Sequence, residues 1–268
     1  MTSPGQQAEE LIRDLGITVP ISPMNVCESI STNEFKVKYK EQRLNSSDIC
    51  GISVGDTSQA TILVNNSIQS DKRKLFTVAH EIGHVILHIQ TGKKPGSECN
   101  SSDLKENNSS NKQFEKEANQ FAGSLLMPRF LIQDDIQRND LGWELIKIIA
   151  NKCNTSLEAT ARRVISLSKE HCALLVQNNG TPWTPVKSSS WSWYLPQAQF
   201  PEDTLDYGDY SDLSREMEEC DLTDCGIENI NSDEYQCYYS SIRHQTDHSR
   251  KIMTLLRLEE KSEWQDFE

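Results

Sequence analysis

Ala8, Leu11, Ile12 and Leu15 recur at helical spacing and stop at Gly16, which predicts a short amphipathic helix near the start of the chain. The period then changes. Cys50, Ile52 and Val54 alternate with smaller residues, a turn of Gly55, Asp56, Thr57 and Ser58 follows, and β-branched residues run from Thr61 to Val64, so residues 49–65 predict a hairpin. From Lys72 to Ile89, Leu75, Phe76, Val78, Ala79, Ile82, Val85 and Ile86 cover most sides of a helix, which predicts burial and makes its few polar positions conspicuous. Thr91 to Gln113 is rich in Lys, Gly, Ser and Asn, with almost no large apolar residue, and predicts a mobile surface loop. Phe114, Ala118, Phe121, Ala122, Leu125 and Leu126 then share one helical face, which Pro128 ends. Two more helices follow, near 141–151 and 156–167, the second opened by a capping box of Thr155 and Glu158.

After Cys172 the character shifts. Ala173 to Val176 predicts a strand, Asn178 to Gly180 a turn, and Thr181 to Ser190 a Pro- and Ser-rich connection, with a domain boundary near 171. The rest mixes aromatics, acids and short apolar runs such as Ile252 to Leu258, and no internal repeat is visible. A chain of 268 residues suits this division into a larger domain, 1–170, and a smaller one, 171–268. The net charge of −13 is concentrated in the smaller part: residues 1–180 hold 20 Lys and Arg against 21 Asp and Glu, and residues 181–268 hold 7 against 19. That acidity disfavours nonspecific contact with nucleic-acid backbones. No apolar run reaches the roughly 18–20 residues that span a bilayer, and the start is polar, so a cytoplasmic protein without a membrane partner is expected. The eight cysteines are scattered without a Cys-x-x-Cys pair, and reduced thiols are expected.

The polar positions of the apolar helix are His80-Glu81-Ile82-Gly83-His84, the His-Glu-x-x-His pattern of zinc peptidases. A spacing of four puts both imidazoles on one helical face, able to grip one ion, while Glu81 can reach a water on that ion. Zinc brings the pKa of such a water to about 7, and a neighbouring glutamate can take its proton and pass it to the leaving amine. The helix predicted some thirty residues later can supply a third ligand. Glu115 is the first choice and Glu117 its rival, since about 200° of helical rotation separates them and only one can face the histidines. Asn119, one turn after Glu115, is placed to hydrogen-bond a ligand from behind.

Two stretches, Lys74-Leu-Phe-Thr-Val-Ala-His-Glu-Ile-Gly-His-Val-Ile-Leu-His88 and Glu115-Lys-Glu-Ala-Asn-Gln-Phe-Ala-Gly-Ser-Leu-Leu-Met-Pro128, resemble the ImmA/IrrE metallopeptidases of bacteria and their mobile elements. The resemblance covers about residues 5–180. It implies that His80, His84 and Glu115 bind zinc, with manganese the cellular alternative, and that Glu81 is the catalytic base. It implies an α+β, minimal gluzincin-like fold, in which a small antiparallel sheet packs on the metal helix and a substrate strand adds to the sheet edge; the hairpin at 49–65 would supply that edge. It further implies cleavage, at one site, of a helix-turn-helix repressor, which frees stress, phage-defence or mobile-element genes. Many relatives carry a C-terminal sensor-like domain of the GAF or PAS kind and the length here suits one, so a smaller mixed α/β domain that takes an activating small molecule or nucleic acid, or recognises the repressor, is expected. The competing expectation is a binding module that sequesters a transcription factor without cutting it.

Weaker signals remain. His88 continues the series from His84, either as a brace or as a donor to the substrate carbonyl. Tyr39 with Lys36, Lys38 and Lys40 forms a basic strip, read as a solvated face. Cys220, Cys225, His244 and His248 approximate a zinc-finger spacing, but the interval between the pairs is too long. Trp183, Trp191, Trp193 and Tyr194 cluster in the connection to the second domain, where packing is preferred over a nucleobase pocket.

Overall fold

Ser3 opens the first helix, α1 (Pro4–Asp14), with reciprocal hydrogen bonds: Gln6 N–H donates to its hydroxyl at 3.2 Å and Ser3 N–H donates to the Gln6 side chain at 2.8 Å. This cap starts the helix ahead of Ala8, its first apolar position. The computed structural model describes residues 2–46, 48–100, 112–182, 184–195, 207–209, 213, 216–221, 233–246 and 249–261. They belong to two compact units, one of residues 1–134 and 150–156, the other of 135–149 and 157–268.

In the first unit α1 is followed by α2 (Pro23–Ser29), β1 (Lys36–Gln42), β2 (Ile49–Gly55), β3 (Gln59–Asn65) and α3 (Asp71–His84), then a π-helical turn (Val85–Ile89), β4 (Gly96–Asn100) and α4 (Lys112–Leu126). The expected hairpin is β2 and β3. The expected apolar helix is α3 with the π turn, in which Gln90 N–H reaches back to the Val85 carbonyl at 2.9 Å. The sheet order is β1-β3-β2-β4, with β1 parallel to β3 and the other pairs antiparallel.

This topology corrects three expectations. The sheet is mixed rather than antiparallel, because β1 enters on the far side of the hairpin and runs in the direction of β3. Neither hairpin strand is an edge, since β1 covers one side and β4 the other. The stretch 91–113 is not wholly loop: Gly96 to Asn100 lack any strand-like apolar pattern, yet they pair with β2 through the backbone, a tertiary contact that overrides weak local preference. Residues 101–111 of that stretch lie outside the described residues.

The lysines of β1, Lys36, Lys38 and Lys40, alternate outward on this edge strand, and Tyr39 donates to Glu41 at 2.6 Å, so the basic strip is a solvated face. Charged edges of this kind discourage pairing with other chains. α4 buries Ala118, Phe121, Ala122, Leu125 and Leu126. A Cβ on Gly83 would stand 3.1 Å from Ala118 Cα and 3.2 Å from Phe121 Cβ, so the glycine inside His-Glu-x-x-His is what lets α3 and α4 approach this closely. That approach carries Glu115 toward the histidines.

After α5 (Arg129–Arg138) and α6 (Trp143–Cys153), each of which has residues in both units, the second unit contains α7 (Leu157–Leu167), β5 (His171–Asn178), β6 (Thr184–Lys187), β7 (Tyr207–Asp209), β8 (Glu218–Cys220), β9 (Tyr235–Thr246) and β10 (Ser249–Glu260). Its sheet runs β6-β5-β10-β9-β7, with β8 also on β9. The apolar run 252–258 lies inside β10, and Asn179 and Gly180 take left-handed conformations (φ 50° and 72°) in the expected turn. Ala173, Leu175, Trp191, Tyr239, Ile252 and Leu256 form the core of the sheet. Trp143 is fully buried and donates its indole N–H to the Ser240 carbonyl at 3.1 Å. Glu158 does not serve the expected capping box; it pairs with Arg162 and with Lys251 of β10. The architecture is α+β, helices with two sheets among the described residues.

Candidate metal centre

Four buried donors from three elements converge: His80 and His84 of α3, Cys99 of β4 and Glu115 of α4. His80 Nε2 lies 3.0 Å from His84 Nε2, and Glu115 Oε2 lies 3.2 and 3.3 Å from these two nitrogens. Cys99 Sγ stands 2.8 Å from His80 Nε2, 3.6 Å from His84 Nε2 and 3.5 Å from Glu115 Oε2. Four donors set tetrahedrally about 2.0–2.3 Å from zinc would stand roughly 3.3–3.6 Å apart, close to these separations.

The outer contacts decide which atoms face inward. His80 Nδ1 is 2.9 Å from Asn119 Oδ1, an acceptor, so this nitrogen carries the proton and Nε2 presents a lone pair. On the other side His88 Nε2 is 2.9 Å from Glu117 Oε2 and therefore donates. Its Nδ1 then accepts from His84 Nδ1 at 3.0 Å, which leaves His84 Nε2 with a lone pair as well. Burial reinforces this by pushing the pKa of His84 down to about 4. Two lone pairs 3.0 Å apart with a carboxylate oxygen beside them repel one another unless a cation sits between them, so the donor set fits a metal ion.

Glu115 is the carboxylate in the cluster. Ser97, two residues before Cys99 on the same face of β4, donates to the other Glu115 oxygen at 3.1 Å. Glu117 points to His88 instead, with Gln113 donating to it at 2.6 Å. The π turn contributes here, because it carries His88 to a position between His84 and Glu117, where the ring is fully buried.

Glu81 stands beside the donors. It is fully buried, and neither carboxylate oxygen has a hydrogen-bond partner among the described residues. Burial raises its pKa. β2 makes room for it: a Cβ on Gly51 would fall 2.5 Å from Glu81 Oε1 and 2.9 Å from Thr77 Cγ2.

With this geometry in view, comparisons with known proteins place the chain. The profile of the Peptidase M78 family, described as the IrrE N-terminal-like domain, matches residues 30–164. The chain belongs to that family. The matched span holds all four donors, Glu81 and the Asn119, His88 and Glu117 contacts behind them. Among solved structures, a Mycobacterium tuberculosis transcriptional regulator is similar to the M78 chain in fold, with a TM-score of 0.55 at 11% identity, covering 95% of this chain and 87% of that one. No curated protein matches. No helix among the described residues is long and apolar enough to cross a membrane.

Cys99 is the site residue that sequence reading missed in this M78 chain. It lies in a polar stretch without periodicity, and its only signal was a thiol between the two motif helices. Of the other candidates, Trp191 is buried, and Trp193 meets His171, Trp191 and Tyr235 edge to face, with ring centres 4.9, 5.9 and 5.0 Å away. These aromatics pack against one another. Trp183, Cys225 and His248 lie outside the described residues, and Cys237 is buried in the second core.

Proposed function

We propose that this chain is a zinc-dependent endopeptidase that cuts a helix-turn-helix repressor at a specific site and so frees stress, phage-defence or mobile-element genes. The observation that carries the reading is Glu81: a fully buried carboxylate one residue from a histidine of the donor cluster, costly to keep ionised there, is placed to take up a proton beside the metal. His80, His84 and Glu115 would hold the metal. When bound, the ion polarises the scissile carbonyl and acidifies water. Glu81 takes the proton of the attacking water and delivers it to the leaving nitrogen. Asn119 and His88 keep the two imidazoles in the tautomer that offers Nε2 inward. Gly51 keeps β2 clear of the base.

In the same reading the first part, 1–170, is a minimal gluzincin-like peptidase in the cytoplasm, and the acidic part, 171–268, is a sensor of the GAF or PAS kind that takes an activating small molecule or nucleic acid. The sheet and aromatic core of the second unit supply a scaffold for such a role. A second reading, a module that sequesters the regulator without cutting it, is favoured by one observation: Cys99 gives the centre a fourth donor where a hydrolytic site keeps a place for water.

The test pairs the zinc-loaded full chain with the helix-turn-helix protein encoded beside it and follows the mixture by intact-mass spectrometry. A single cut is expected, and Glu81→Gln should keep zinc but lose the cut. Release of the regulator from DNA by Glu81→Gln at the wild-type rate would establish sequestration instead.

A further inference from the structure

β4 runs antiparallel to β2, with Val54 opposite Gly96, Ser53 opposite Ser97, Ile52 opposite Glu98 and Gly51 opposite Cys99. β3 holds the other side of β2, so β4 takes the one remaining edge of the strand that lies against Glu81. An extended peptide bound for hydrolysis needs this kind of edge: backbone pairing along one strand, alternate side chains directed into the centre. β4 does both. Ser97 and Cys99 are buried in the donor cluster, while Glu98 between them is exposed. Cys99 Sγ approaches both histidine nitrogens and Glu115, at 2.8, 3.6 and 3.5 Å, and so completes four donors around one point.

A hydrolytic zinc site has three protein ligands and an open position, whereas a site closed by four is structural. Here the fourth ligand sits on a five-residue strand that pairs on one side within the described sheet and buries only Ser97 and Cys99 fully among its described side chains. Its withdrawal exposes little apolar surface, which puts it among the segments that open at low cost. We propose that β4 is a resident occupant of the substrate edge and that Cys99 closes the fourth position of the metal, so that the centre is latent until the strand leaves. What is held latent rests on the peptidase reading; the closure itself does not.

The test uses the full chain loaded with cobalt(II). Wild type is expected to show a thiolate-to-cobalt charge-transfer band in the near ultraviolet; Cys99→Ser and Cys99→Ala should lack it and still hold one cobalt. Acetohydroxamate, a small chelating probe that needs open positions on the metal, should bind both variants at least about tenfold more tightly, since in wild type only the open fraction can take it. A wild-type spectrum without the thiolate band, or equal acetohydroxamate affinity in all three proteins, would overturn the proposal. Cleavage of the neighbouring regulator is scored separately and should be faster in both variants. If the spectra and affinities come out as expected and none of the three proteins cuts, the peptidase reading fails while the closing strand stands.

Discussion

Gly51 and Glu81 touch at a point where no side chain fits: any Cβ on the glycine would come within 2.5 Å of the carboxylate oxygen. The position of the Glu81 carboxylate is thus set by the bareness of the strand above it. Gly51→Ala is expected to turn Glu81 aside, leave zinc content at wild-type level and lower cleavage by about 100-fold, the scale of a misplaced reacting group. Metal analysis and cleavage rates on the same preparation check it, and an unchanged rate would mean that Glu81 moves freely.

Glu115 and Glu117 separate by function. Glu115→Ala removes a donor from the cluster and should abolish stoichiometric zinc. Glu117→Ala and His88→Phe remove only the hold on His84 Nδ1, and a loss of about 10–100-fold in zinc affinity is expected, read by competition with a chelator. Equal losses for Glu115→Ala and Glu117→Ala would contradict this division.

The glycine between the histidines has a packing role that can be measured without metal or substrate. Gly83→Ala would press a methyl group against the Ala118 backbone at 3.1 Å, and a cost of about 1–3 kcal/mol is expected in denaturant unfolding of the metal-free protein. Stability within error of wild type would show that the two helices can part at little cost.

Glu158 supplies a pH-dependent term in the second unit. Burial opposes its ionisation, but Lys251 and Arg162 outweigh this and lower its pKa below the ordinary 4.5. Because the folded pKa lies below the unfolded one, the contribution is fully present above about pH 4.5 and is lost as pH falls through the folded value. Glu158→Gln should therefore lower stability at neutral pH and flatten its acid dependence, as followed by thermal unfolding across a pH series. A parallel shift at every pH would rule out the ion pairs as the cause.

The parts of the centre that sequence reading located are those built by short-range geometry. His80, His84, Glu115 and Asn119 stand at fixed spacings on helices, and spacing along a helix is angular position. Glu117 was separated from Glu115 by the same rule. Cys99 was hidden because it owes its place to β2, more than 40 residues earlier in the chain, and its own neighbours Gly96, Ser97 and Glu98 have no strand preference. β9 was missed for a related reason: Ser240, Ser241 and Thr246 give it a polar look, and its pairing with β10 over twelve positions compensates. β6 was likewise hidden in the stretch read as a connection, Thr181 to Ser190, where Thr184 to Lys187 pair with β5; the identity of these strands belongs to their partners.

The four donors occupy a single stretch of the chain, residues 80–115, and β2 precedes it. A ribosome therefore delivers the whole donor cluster, with Glu81 beside it, well before it has made the acidic C-terminal third, and amino-terminal domains begin to fold during synthesis. A nascent chain can capture its metal at that stage. The strand that carries Cys99 is encoded inside the same stretch, so in the latent-centre proposal the closing donor is made together with the three it closes upon.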